Sequence, residues 1–300
     1  FVANTDVRKN SSMVGVVVPY LRDGLTNTIL SGLESVLRAN HFNLVLSHSD
    51  GDPAIEREQV RRLLSEGVAG IVLFPVSETP DGEHSAVTDI PESVPIVLVD
   101  RAVPGVDATV VSSSNYDGGY KAVSYLLDNG HTRIACVATR TRPSSVISRI
   151  SGYEQAMLDR GLFPLAALSI ETVARPASPH AASLPTYESS DFPIIDRLLE
   201  NQTPPSALFC INDYLAIGVM EHLRGLDVRV PEDISIIGFD NVSFSSYGSI
   251  SLTTVAQPAY EIGARAGTAL LNQLEEGRRL TERIMLDVEL VITKPTREIE

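Results

Sequence analysis

Four places in this 300-residue chain put polar side chains where an apolar run stops or a helical pattern begins. Asp100 closes "PIVLVD", Arg149 opens "RISGYEQ", Asn212 and Asp213 close "LFCIND", and Asp240 closes "IIGFD". Carboxylates accept from neighbouring hydroxyls, an arginine fork donates two parallel bonds, and an asparagine amide does one of each. If these ends converge, the set suits a hydroxylated ligand such as a polyol. Each residue also has a plainer use. An Asp after a strand is commonly a turn residue or a helix N-cap; Asp213, just before "YLAIGVM", is expected to cap that helix; and Arg149 and Asp240 would satisfy each other. Gln257, in "LTTVAQP" between an apolar run and a helical pattern, is a further candidate. Sugar sites usually add an aromatic platform, and the chain has no Trp. The candidates are Tyr20, first because it follows a strand, then Phe209, with Phe244 and Tyr247 after Asp240; core packing is the commoner fate of each.

Other chemistries find less support. The six His show no metal-ligand spacing, so no metal is expected. Cys136 and Cys210 each sit inside an apolar run and read as small buried hydrophobes. No G-x-S-x-G or phosphate loop occurs, and "DGGY" at 117–120 reads as a helix entry. "GHTR" at 130–133 reads as a helix-to-strand turn, with His131 assisting the last carbonyls of the helix. No nucleophile and base stand out, so neither an enzyme nor a cofactor is expected.

The elements that must position these groups repeat one alphabet. "MVGVVVP", "FNLVLSHS", "GIVLFP" and "PIVLVD" are strand-sized apolar runs, and "TNTILSGLESVLRANH" and "AIEREQVRRLLSEG" between them carry apolar residues at helical spacing. Strand alternating with helix is the pattern of βαβ units and a parallel sheet, where ligands bind at the carboxyl ends of strands. After Asp100 the series restarts with "TVVSS", "RIACVAT", "SALFCIND" and "ISIIGFDN", which predicts a second lobe of similar build. Residues 164–190 read as a short strand in "LSIETVA" followed by a long loop. "RIMLDVELVITKP" reads as one final strand.

Composition narrows the class. The net charge is −14, with 24 basic against 38 acidic residues, which opposes a phosphate-binding surface. The longest apolar runs are far short of the roughly 20 residues that span a bilayer. The expectation is a soluble, cytoplasmic chain with no membrane partner. It opens at Phe1, with neither Met nor a basic-then-apolar leader, so the expectation is that either a signal peptide or another domain has been removed.

Several blocks, in order, resemble the LacI/GalR family of bacterial transcription regulators: "GHTRIACVA" at 130–138, "RISGYEQAM" at 149–157, residues 205–241 ending "VPEDISIIGFDN", and "LTTVAQP" at 252–258. The resemblance runs from about Met13 to Thr296. The opening "FVANTDVRKN" is similar to the end of that family's hinge segment, with Phe1, Asn4, Val7 and Arg8 matching in order. The residue that family members wedge into the minor groove would be Asn10 rather than Leu, and the family's helix-turn-helix is not among these residues.

The resemblance implies an α/β fold of two doubly wound parallel-sheet lobes joined by three crossovers, like type I periplasmic binding proteins. It places a hinge at 1–12, one lobe at 13–111 plus 257–284, and the other at 112–256 plus 285–300. It implies an effector between the lobes, a carbohydrate or derivative, touched by Asp100, Arg149, Asn212 and Asp240; family contacts also fall at positions matching Leu25 and Thr26. Implied partners are a second copy, with a seam at helices 26–39 and 54–66 carrying Arg57, Arg61 and Arg62, and operator DNA through an N-terminal domain absent from these residues. A purine-type effector stays open because Phe209 could stack on a base, though Pro143 lacks the positive charge that purine binders of the family tend to place there. The alternative is an exported sugar-binding protein of a transport system, which shares the fold.

Overall fold

A computed structural model describes residues 11–21, 23–76, 86–165, 168–170, 187, 189–242 and 251–293. Among these, contacts divide the chain into two compact units. One holds the residues up to Ser113 together with Pro258–Leu286; the other holds those from Ser114 to Gln257 and from Asp287 onward. Each is an α/β sandwich around its own six-stranded sheet.

In the first unit the strands are β1 (Met13–Val18), β2 (Asn43–His48), β3 (Gly70–Leu73), β4 (Ile96–Val99), β5 (Thr109–Ser113) and β11 (Arg283–Leu286). Their order is β11-β5-β4-β3-β1-β2, and every pairing is parallel. Helices cover both faces, so the central strands are buried on both sides and read as unbroken Val, Ile and Leu. Alternation along β1 sorts them. Val14, Val16 and Val18 face helices α1 (Gly24–Ala39) and α7 (Ala259–Glu276), packing with Leu33, Leu37, Ala266 and Leu270. Val17 faces the other way, with Val60 and Leu63 of α2 (Pro53–Ser65). Asp23 and Asp52 cap α1 and α2, their carboxylates accepting from first-turn amides. Arg57 and Arg61 of α2 are both committed to Asp89 on the short helical turn Ala86–Asp89.

The second unit contains β6 (Ile134–Thr139), β7 (Leu168–Ile170), β8 (Ala207–Cys210), β9 (Ser235–Asp240), β10 (Thr253–Ala256) and β12 (Glu289–Val291). The order is β12-β10-β9-β8-β6-β7, parallel except for β12, which runs antiparallel to β10. Helices α3 (Asn115–Asp128), α4 (Ser144–Asp159), α5 (Pro193–Leu199) and α6 (Asp213–Gly225) complete it. The expected single final strand "RIMLDVELVITKP" is two. The chain leaves the first sheet after Leu286 and enters the second at Glu289, so one strand-like run closes an edge of each.

Helices α3 and α4 approach closely because glycines face one another across the contact. A methyl group on Gly119 would lie 2.2 Å from the Arg149 carbonyl oxygen, and one on Gly152 would lie 2.1 Å from that of Tyr116. This contact brings the amino end of α3 beside the second turn of α4. Among the described residues, no helix is long and apolar enough to cross a membrane.

Candidate functional site

Arg149 is the centre of the second unit's polar cluster. It does not open a helix, as its place in "RISGYEQ" suggested; α4 begins five residues earlier at Ser144, and Arg149 points inward from the second turn, 5% exposed. Pro143 at the N-cap offers no capping oxygen, so the sequence carries no start signal there. The guanidinium is held on three sides. Nε donates to Asn115 Oδ1 at 2.8 Å, and Nη1 donates to the Ile211 carbonyl at 2.6 Å. The guanidinium carbon stands 3.7 Å above the centre of the Phe239 ring, a cation–π contact. Asp240 Oδ1 lies 3.3 Å from Nη1.

Asp240 is the last residue of β9, and its carboxylate is shared: Gln257 donates from Nε2 to Oδ1 at 2.6 Å. The backbone turns sharply here, with φ of 115° at Asp240 and 53° at Asn241. Left-handed conformations are sparsely populated by residues with a Cβ, and Asp and Asn tolerate them best. Gln257 follows β10, which pairs with β9 so that Ala256 lies opposite Asp240. Adjacent parallel strands thus deliver Asp240 and Gln257 side by side, at their carboxyl ends.

Asn212 is the N-cap of α6, its Oδ1 accepting from Leu215 N at 2.8 Å. This cap was expected of Asp213. Asp213 is instead the first helical residue, completely buried, and its carboxylate turns toward the strands. Oδ1 accepts from Thr254 Oγ1 at 2.5 Å, and Oδ2 accepts from Val242 N at 3.0 Å. Burial pushes the carboxyl up to about 7 even though those hydrogen bonds and nearby Arg149 pull the other way. Among the described residues Asn212 Nδ2 and Arg149 Nη2 have no hydrogen-bond partner, so the second unit offers unspent donors beside a shared carboxylate.

The remaining candidates lie apart from this cluster. Phe209 has no exposed surface; it is enclosed in the hydrophobic core of the second unit and offers no face to a ligand in this conformation. Among the described residues, the aromatic against Arg149 is Phe239, whose ring carries the guanidinium. Phe244 and Tyr247 lie outside the described residues, as do Phe1, Asn4, Val7, Arg8 and Asn10. Tyr20 belongs to the first unit, after β1, with its hydroxyl against Gly51, so it is half-committed to covering the loop after β2. Desolvation pushes that hydroxyl up; Arg101 opposes this and Asp50 adds to it. Asp100 follows β4 with φ of 70°, and its Oδ2 accepts from Arg101 Nε at 3.2 Å. Thr26 donates its buried hydroxyl to Asp23, and Leu25 receives its amide cap from the same carboxylate. His131 serves the helix end through its backbone, its amide donating to the Leu126 carbonyl at 3.1 Å, while its ring Nδ1 lies 2.9 Å from Ser206 Oγ.

The structure therefore unites Arg149, Asn212, Asp240 and Gln257 in the second unit and leaves Tyr20 and Asp100 in the first. Asn115, the Ile211 carbonyl, Phe239 and Thr254 are additions, and Asp213, expected as a cap, faces Thr254 and Val242 instead. The signal for Asn115 was the glycine pair in "NYDGGY", which licenses a close helix contact. No group of three or more metal-ligating side chains occurs among the described residues.

A family model described as a periplasmic binding protein-like domain matches residues 123–294. The HTH-type transcriptional repressor CytR of Escherichia coli (strain K12) is 30% identical over 296 residues, covering 97% of this chain and 81% of the relative. The HTH-type transcriptional repressor PurR of Vibrio vulnificus (strain CMCP6) is 28% identical over 288 residues, 95% of this chain and 81% of the relative. Among solved structures, a LacI family transcriptional regulator from Enterococcus faecium with bound ribose is 25% identical, covers 96% of this chain and all of that one, and has a TM-score of 0.77.

Proposed function

The chain belongs to the LacI/GalR family of transcriptional regulators, and from that membership we propose that its two units are the effector-sensing core of such a regulator, responsive to a sugar or sugar derivative. The observation that carries the reading is the Arg149–Asp240–Gln257 cluster, with Asn212 beside it, at the carboxyl ends of β8, β9 and β10. It combines a shared acceptor with unspent amide and guanidinium donors, which is the pattern vicinal hydroxyls require. Ribose in the Enterococcus faecium relative supports the ligand class. Tyr20 and Asp100 are proposed as further effector contacts from the first unit.

The regulatory reading has three further parts. The protein works as a cytoplasmic homodimer. Operator DNA is read by residues outside the two units, because a net charge of −14 repels phosphate. The effector acts by binding one conformation of the core more tightly, and a coupling of about 1–3 kcal/mol suffices for regulation. No turnover is expected, since no nucleophile and base are paired in the cluster. Isothermal titration of the purified chain with aldoses, sugar phosphates and nucleosides tests this reading. A saturable isotherm for one carbohydrate, with a dimer by light scattering, is the expected result; a monomer that binds sugar would return the chain to the transport class.

A further inference from the structure

We propose that Asp213 is a positioning residue for the effector site: its buried carboxylate clamps the chain leaving β9 so that Asp240 is presented to the ligand. The inference rests on the effector reading above and extends it to a residue that touches no ligand. Asp213 follows Asn212, yet its side chain is directed away from the helix terminus into a space kept open by Gly238. A methyl group at Gly238 would lie 2.2 Å from Asp213 Oδ1. The carboxylate thus occupies a built recess, fully enclosed.

From that recess it secures the segment directly after Asp240. Oδ2 takes the Val242 amide, and Oδ1 takes the Thr254 hydroxyl. Thr254 Oγ1 in turn accepts from the Asn241 amide at 3.4 Å. A hydroxyl donates once, so the direction of this relay is fixed: Asn241 N–H to Thr254, Thr254 O–H to Asp213. Both successive amides after Asp240 are held, one directly and one through Thr254. These are the residues where the backbone is strained, with φ of 115° and 53°, and such conformations persist only when their surroundings over-determine them. Releasing the clamp frees the turn and lets Asp240 leave its place between Arg149 and Gln257.

The ionised form alone accepts both bonds with both oxygens. The groups that titrate or carry charge around it are Arg149 from α4, which favours ionisation, and Cys210 from β8. The carboxyl is raised to about 7 by burial, so lowering the pH through neutrality protonates it and removes one acceptor.

The test uses Asp213→Asn, which keeps the shape and leaves a single acceptor oxygen, and Thr254→Val, which removes the relay hydroxyl. Two measurements are made on each: exchange rates of the Asn241 and Val242 amides by NMR without ligand, and, from pH 6 to 8, the dissociation constant of the member of the aldose, sugar phosphate and nucleoside panel that the wild type binds. The expected result is faster exchange at those two amides with β9 interior amides unchanged, and affinity about tenfold to a hundredfold weaker at pH 8. Wild-type affinity should fall toward that of Asp213→Asn as the pH drops to 6, while the variant's affinity stays flat. Unchanged exchange at both amides overturns the proposal. So does faster exchange with unaltered affinity when Arg149→Ala abolishes binding. If the wild type binds no ligand in the panel, the effector reading fails and the positioning role fails with it, while the exchange rates still report whether the clamp exists. Should Asp213→Asn not fold, Thr254→Val decides by the same criteria.

Discussion

The guanidinium of Arg149 has its polar edge divided between an amide oxygen, a backbone carbonyl and a carboxylate, while its face rests on Phe239. A lysine cannot reproduce that arrangement, because a point charge on a flexible stem has no plane to stack and no fork to divide. We therefore expect Arg149→Lys to weaken effector binding at least tenfold, measured by calorimetry, and to lower the melting temperature, since Asn115 and the Ile211 carbonyl lose their donor in a buried place. Asp240→Asn should behave differently. It preserves the Gln257 contact in one amide orientation but removes the charge facing Arg149, so a loss in affinity should exceed any loss in thermal stability, checked by the two measurements together. At this scale the sequence disclosed Arg149, Asn212, Asp240 and Gln257 because they stand at element ends, where chemistry is usual. It hid Asn115, Phe239 and Asp213 because their partners are distant in the chain; nothing local distinguishes an Asp that caps a helix from a neighbour that reaches back to Thr254, 41 residues on.

At the scale of elements, strands and helices were legible from periodicity, since parallel strands buried on both faces are continuous apolar runs and the helices between them carry one apolar stripe. Boundaries failed where a local signal was missing or served two purposes. The start of α4 has no capping side chain, and "RIMLDVELVITKP" feeds two sheets. Where caps exist they contribute measurably: Asp52 accepts from both Ala54 N and Ile55 N. Asp52→Ala should cost about 1 kcal/mol and lower the melting temperature by about 2–4 °C, read by circular dichroism, with effector affinity unchanged. Substitution at the α3–α4 crossing should do the reverse of that separation. Gly152→Val would push against the Tyr116 carbonyl, shift Asn115 away from Arg149, and reduce both stability and binding.

At the scale of the whole molecule, two buried carboxyls make stability depend on pH in an uncommon direction. Burial raises both Glu56 in the first unit and Asp213 in the second to about 7, whereas the same groups titrate near 4 when unfolded. Between those values the folded protein binds more protons than the unfolded chain, so stability increases as pH falls from about 7 toward 4.5 and is lowest above 7. The relief of a net charge of −14 acts in the same sense. The melting temperature should be several degrees higher at pH 6 than at pH 8, and Glu56→Gln should flatten part of that slope. The two-lobed topology itself came from the family resemblance, because periodicity counts βα units without saying which sheet each strand joins. The central claim concerns the second unit's polar cluster, and a thermal-shift panel of sugars, sugar phosphates and nucleobases against the wild type, Arg149→Ala and Asp240→Ala addresses it most directly. A ligand at 100 times its dissociation constant adds about 2.7 kcal/mol to the folded state. A shift of several degrees from one sugar, absent in both variants, is the expected outcome; a shift that survives both substitutions would contradict the assignment of the site.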